Sequence, residues 1–210
     1  MLRFIFVIVI IIFIVIVLSL TVFKNKIKAV FYIEHMERDE RIDRMNIDEI
    51  LSKLDIHDGN LIADIGAGSG LFSRKFSSLV TPTGHVYAID INKELLKHID
   101  QDIIDSKLSN IKTILALEDD PQIPESVDLI FICDTLHYIE EQENYVVKMS
   151  NYLKTNGRIA VISFYRNWPP MSNKFDSKEL TIWMSKAGLE QVSYYDNFIQ
   201  DEYLAIYQKK

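Results

Sequence analysis

Apolar residues are distributed along this chain in three different ways. Through residues 4–23 they run unbroken, with Ser19 and Thr21 the only polar side chains and no charge between Arg3 and Lys24. Wound as a helix, such a segment reaches about 30 Å, the thickness of a bilayer's hydrocarbon core. It is apolar on every face, unlike a helix packed at a protein surface. A cleavable leader would have a shorter apolar stretch ending in small residues, whereas this run ends Leu18-Ser19-Leu20-Thr21-Val22-Phe23. The pattern predicts a retained single-pass membrane anchor over residues 1–23. Arg3 precedes the run and Lys24, Lys26 and Lys28 follow it, so the positive-inside rule places the rest of the chain in the cytoplasm.

Residues 24–46 are basic and then charge-rich, with Ile33, Met36, Ile42 and Met45 at loosely helical spacing. They read as a solvated helix linking the anchor to a domain at 47–210; a substrate lid is the alternative. Ile47, Ile50, Leu51 and Leu54 then give a helix with one buried stripe. Short apolar runs follow at 61–65, 86–89, 111–117, 127–133 and 159–164, each the length of a strand. Helical stripes lie between them, marked by Phe72, Phe76 and Leu79, by Leu95, Leu96, Ile99, Ile103 and Ile104, and by Tyr145, Val146, Met149 and Leu153, the last closed by Asn156-Gly157. Thr81-Pro82-Thr83-Gly84 is a break. Leu180, Trp183, Met184 and Ala187 mark a final helix, and strands near 191–195 and 203–207 end the chain. Strands alternating with helices require a mostly parallel sheet with helices on both faces. The last two strands, joined only by residues 196–201, must be antiparallel to each other. The expected fold is therefore α/β, a seven-stranded sheet preceded by one transmembrane helix.

Composition narrows the function. The 48% hydrophobic content of 210 residues is enough for a full core, and a formal charge of −7 argues against a nucleic-acid binder, which needs a basic face. Cys133, the single cysteine, excludes an internal disulfide and a cysteine-based zinc cluster; no metal site is expected.

The sharpest motif is Asp64-Ile65-Gly66-Ala67-Gly68-Ser69-Gly70, directly after the first strand. Its glycines let the backbone turn tightly and let a ligand approach the main chain. The helix that follows offers free N–H groups and a positive dipole end to an anion. Asp90 ends the second strand, where a carboxylate can accept both hydroxyls of a ribose. Together these predict a nucleoside-containing ligand with an anionic or zwitterionic tail. A dinucleotide fold would need a third glycine at position 71, which is Leu71, so a nicotinamide oxidoreductase conflicts with the spacing.

With these residues in order, the chain resembles the class I S-adenosylmethionine-dependent methyltransferases over about residues 45–208, and the resemblance implies their Rossmann-like sheet with an antiparallel last strand. Residues 64–70 match the family's first motif and Ala88-Ile89-Asp90 its second. Residues 119–130 and Cys133-Asp134-Thr135-Leu136-His137-Tyr138-Ile139-Glu140 are similar to its loop, fourth strand and following turn. The resemblance implies S-adenosyl-L-methionine as cofactor. Gly66, Ala67, Gly68 and Gly70 would pass beneath its methionine part, Asp64 would hold its amino group, Asp90 its ribose, and Ile91 would pack on adenine. The family's acid after the third strand aligns with Leu117, a departure, so Glu118 or Asp119 would serve instead, or the backbone.

In methyl transfer a general base is required only if the acceptor must lose a proton. Asp134 and His137, after the fourth strand, are the candidates, and Tyr138, Phe164, Tyr165 and Trp168 are candidate acceptor-pocket residues. The loop 165–170 is a candidate specificity loop. An anchor close to the domain raises the local concentration of membrane-resident acceptors, so a lipid-like or membrane-associated acceptor is expected. The competing reading is a membrane-tethered binding or scaffold protein that keeps the fold without turnover.

Overall fold

A computed structural model describes residues 2–80, 83–165 and 175–210, with the side chains of residues 2–25 described only in part. The chain begins as one helix, α1 (Leu2–Met36), followed by two short helices, α2 (Asp39–Met45) and α3 (Ile47–Lys53). Asn46 joins α2 to α3 in the left-handed region at φ 49°, a conformation Asn tolerates better than most residues. Among the described residues no helix is long and apolar enough to cross a membrane. The apolar run at 4–23 falls largely on positions whose side chains lie outside that description.

Seven strands form one sheet in the order β3-β2-β1-β4-β5-β7-β6: β1 (Leu61–Ile65), β2 (His85–Asp90), β3 (Ile111–Leu115), β4 (Val127–Cys133), β5 (Leu153–Phe164), β6 (Leu189–Tyr195) and β7 (Glu202–Lys209). The pairs among β1 to β5 are parallel, and β7 runs antiparallel to both β5 and β6. Four helices cover the faces: α4 (Leu71–Val80), α5 (Lys93–Asp105), α6 (Gln142–Asn151) and α7 (Ser177–Lys186). This is the mixed, Rossmann-like sheet that the alternation of patterns required.

Because side chains alternate along a strand, one run of apolar residues feeds two cores. Leu129 and Phe131 of β4 face the layer of α3, α4 and α5, while Ile130 and Ile132 face that of α6 and α7. On the first side the Phe131 ring meets Phe72 and Phe76 of α4 at centroid distances of 4.7 and 5.1 Å. On the second side Tyr203 and Tyr207 of β7 are fully buried, as an interior strand requires. The edge strands β3 and β6 carry the exposed positions.

Three local expectations differ from the structure. β3 stops at Leu115, because Leu117 turns to exchange backbone hydrogen bonds with Asp120. α6 ends at Asn151, and Leu153 already pairs with Val127 in β5, so Asn156-Gly157 lies inside a strand at a shift in register. Ile104 sits 68% exposed rather than in the α5 stripe. Thr81 and Pro82, read as a helix break, lie outside the described residues.

Candidate active site

The chain leaves β1 toward β2 and β3 on one side and returns through β4 on the other, so the strand order reverses between β1 and β4. A crevice is expected outside the carboxyl ends of the strands there. A cavity of about 970 Å³ occupies it.

Its floor is the turn after β1. The N–H groups of Gly66 and Ala67 both donate to the Ile89 carbonyl, at 2.8 and 2.9 Å, which ties the turn to the end of β2. The Gly68 N–H donates to Asp90 Oδ2 at 3.0 Å, and the Asn92 N–H donates to Asp90 Oδ1 at 2.8 Å. Gly66 and Gly68 hold φ of 74° and 57°, in the left-handed region. A Cβ on Gly68 would lie 2.6 Å from Met36 Sδ, and one on Gly66 would enter the Thr135 hydroxyl. Close approach from above the loop is thus built into the backbone. Gly70 differs: it does not line the cavity, and a Cβ there would press on Ile99 of α5 at 2.9 Å.

Two buried acids stand on this floor. Asp64 is 3% exposed and its Oδ2 accepts the Ser73 hydroxyl at 2.5 Å. Burial pushes its carboxyl up to about 7, with the Ser73 hydrogen bond opposing and the nearby Asp90 charge adding. Burial likewise raises Asp90, against the stabilising N–H groups of Asn92, Gly68 and Ile91. Both carboxylates retain acceptor capacity toward the cavity they line. Beside them Ile91 and Leu117, 56% and 55% exposed, present apolar surface suited to a flat heterocycle. Glu118 and Asp119 lie at the rim, and Asp119 is engaged by Lys148 at 2.6 Å, which holds its carboxyl below the usual range.

The opposite wall begins at Asp134, which lines the cavity. His137 does not: it is buried, with its ring 4.2 Å from Tyr138 and 6.4 Å from Phe164 between centroids. Of the aromatic residues expected around an acceptor, Tyr138 alone among the described ones reaches the cavity. Phe164 is buried in the sheet, Tyr165 donates its hydroxyl to the Asp196 carbonyl at 2.9 Å, and Trp168 lies outside the described residues, as does residues 166–170 of the expected specificity loop. Cys133 also lines the cavity as a free thiol that burial keeps protonated.

Sequence reasoning missed the remaining wall. Tyr32 and Met36 from the end of α1 and Arg41 from α2 line the same cavity, in a segment expected to be a solvated link. Arg74 of α4 fastens that end by pairing with Glu37 and, at 2.6 Å, with Asp102 of α5. The signal available was the apolar set Ile33, Met36, Ile42 and Met45, of which Met45 is fully buried.

A methyltransferase-domain family model matches residues 56–209. The chain belongs to this methyltransferase family. Among relatives, the ubiquinone/menaquinone biosynthesis C-methyltransferase of Ectopseudomonas mendocina is 31% identical over 135 residues, which span 63% of this chain and 53% of the relative. The chain thus spans about half the length of the curated relatives it matches. Among solved structures, an S-adenosylmethionine-dependent methyltransferase from Aquifex aeolicus superposes with a TM-score of 0.74 at 21% identity, covering 84% of this chain and 95% of that one. The N-methyltransferase NodS from Bradyrhizobium japonicum, solved with S-adenosylhomocysteine, gives 0.65 at 15% identity over 88% and 98% of the two chains. At these identities the superpositions describe the shared methyltransferase fold.

Proposed function

We propose that this methyltransferase uses S-adenosylmethionine as its donor and methylates an apolar, membrane-associated acceptor while held to the bilayer by residues 1–23. The observation that carries the reading is the junction at Met36. The helix that starts in the apolar run ends as a wall of the cavity over Gly68.

The donor fits the residues present. Gly66, Ala67 and Gly68 would run beneath its methionine part, Asp64 would face its ammonium group, Asp90 its ribose hydroxyls, and Ile91 and Leu117 its adenine. When bound, S-adenosylmethionine supplies a methyl group already activated on a sulfonium. The chain's own contribution is then alignment and exclusion of water. The glycine turn, pinned to Ile89 and Asp90, fixes the floor, and Met36, Tyr32 and Tyr138 close the apolar side.

The three lysines after the apolar run favour a cytoplasmic domain and can meet anionic headgroups, each contributing about 1 kcal/mol. The quinone-biosynthesis name carried by the relatives agrees with an apolar acceptor. The test incubates full-length and anchorless protein with labelled S-adenosylmethionine and cell extract divided into membranes and soluble fraction. Label entering membrane lipids or quinols, more with the full-length chain, is expected. Label confined to soluble small molecules, equal for both proteins, refutes the membrane acceptor, and absence of all transfer favours the scaffold reading.

A further inference from the structure

Four charges meet at the wall of the cavity formed by α2 and the turn after β4. Arg41 of α2 reaches Asp134 with its Nη2 3.4 Å from Oδ2, and its Nη1 donates to the Met36 carbonyl at 3.2 Å. Arg44, one turn on, lies 3.8 Å from Glu202 at the start of β7, and the Glu202 side chain is completely buried. Arg41 and Asp134 line the cavity, whereas Arg44 and Glu202 stand behind them.

Asp134 is distinctive in three respects. Its backbone sits at φ 51° while its N–H still donates to Ile162 at 3.1 Å, so the left-handed kink falls at the last rung of the β4–β5 ladder. A kink of this kind is uncommon for a residue with a side chain and is held by its surroundings. Its Oδ2 is taken by Arg41, and its Oδ1 is buried without a hydrogen-bond partner among the described residues. A buried carboxylate oxygen without a partner is costly, and the Asp134 side chain, 18% exposed and lining the cavity, can lower that cost by gaining a proton there.

We propose that Asp134 and Arg41 form the acceptor subsite, the Asp134 carboxylate taking the proton of an apolar phenol, enol or thiol and Arg41 stabilising the anion so formed. This rests on the reading of the chain as an S-adenosylmethionine-dependent methyltransferase and names the acceptor class for that site. The O–H or S–H bond breaks, its proton passes to the Asp134 carboxylate, and its electron pair stays on the acceptor. That pair forms the new bond to the methyl carbon as the methyl–sulfur bond breaks onto sulfur, and the proton leaves Asp134 for solvent with the product. Through the proton transfer Arg41 exchanges one anionic neighbour for another, so the charge around it does not change. A guanidinium, with five donors and two used here, has donors left for the new anion.

The groups that bear on Asp134 are Arg41 and Arg44 of α2, Cys133 on its own strand, Tyr138 in the following turn and Glu202 of β7. Burial raises the Asp134 carboxyl and the two arginines oppose it, which leaves a base poised above the ordinary carboxylate range. Glu202 and Arg44 are positioning residues: they carry a balancing charge pair behind the base without reaching the cavity.

The test uses the full chain in detergent micelles, saturated with S-adenosylhomocysteine, and two probes, 4-nitrophenol and thiophenol, whose anions absorb at longer wavelength than their neutral forms. Titrated between pH 5 and 8, the bound probe is expected to ionise about tenfold more readily than the free one. Arg41→Leu should abolish that shift and Arg41→Lys restore part of it. Asp134→Asn should keep S-adenosylhomocysteine affinity within about threefold while lowering methyl transfer from S-adenosylmethionine to 4-nitrophenol by at least about tenfold at about pH 5.5, where the free phenol is neutral and a general base is needed. Circular dichroism checks that each variant is folded. Failure of either probe to bind, a bound probe that titrates like the free one, or variants indistinguishable from wild type overturns the subsite. Failure of the wild type to bind S-adenosylhomocysteine in calorimetry is a different result and overturns the methyltransferase reading itself.

Discussion

Replacing Asp64 by Asn should change how both stability and donor binding depend on pH. Burial lifts this carboxyl from 3.8 to about 7, so the folded state holds a proton that the unfolded chain has already lost. A raised pKa gives stability that is whole below pH 3.8 and declines as the pH climbs toward 7. A shift of this size corresponds to about 4 kcal/mol, of which more than half falls between pH 5 and 7.5. Asn cannot ionise and removes this slope. Glu202, pushed up to about 8, and the raised Asp90 contribute slopes of their own, but these are shared by both proteins and cancel in the difference. The donor's ammonium group needs the ionised form, so below pH 7 its binding must drive a proton off Asp64. Urea unfolding of the full chain in micelles at pH 5, 6, 7 and 7.5 measures the first effect. Calorimetry of S-adenosylmethionine in buffers of differing ionisation enthalpy measures the second, with release of about one proton expected at pH 5.5 in the wild type and none in Asp64→Asn. Parallel stability profiles for the two proteins, or equal proton release, would show that Asp64 is neither the buried titrating acid nor the ammonium partner.

Gly68→Val should abolish donor binding in a folded protein, since a side chain at φ 57° costs about 1–2 kcal/mol and would lie against Met36; calorimetry with circular dichroism decides it. Asp90→Ala should weaken donor affinity by about 1.5–3 kcal/mol, because it removes a charged acceptor from the ribose and from the Gly68 N–H, and an effect within error at several salt concentrations would refute that role. Arg74→Ala should free the end of α1 from α4 and α5, speeding proteolysis near Arg38 several-fold with little change in unfolding free energy. Phe76→Ala should cost about 3–5 kcal/mol in urea unfolding, as its ring fills the core beside Phe72 and Phe131.

The sheet and the glycine-turn side of the cavity were legible in the sequence because each rests on a local rule. Apolar runs buried on both faces mark β1, β2, β4 and β5, and the glycine turn and Asp90 announce themselves by spacing. The other wall was not legible, because its residues act through tertiary placement. Arg41 in a dense row of charges gives no hint that its partner is Asp134, 93 positions away. Gly70 and His137 stand outside the cavity lining for the converse reason. Each sits within a motif that lines the cavity, yet the first is spent on packing against Ile99 and the second is turned into the core beside Phe164.

α1 runs from Leu2 to Met36 without a proline or glycine, and this ties two quantities together. The 13 residues from Phe23 to Met36 set the cleft about 20 Å above the end of the apolar run. The same residues fix its compass bearing, since each one turns the helix by about 100°. Height and bearing therefore cannot be changed separately, as on a threaded rod. Two alanines inserted after Lys28 lift the domain by about 3 Å but swing the mouth to nearly the opposite side, whereas four lift it by about 6 Å and swing it only about 40°. If bearing governs access to a membrane acceptor, the shorter insertion should be the more damaging, with transfer to a water-soluble thiol untouched in both.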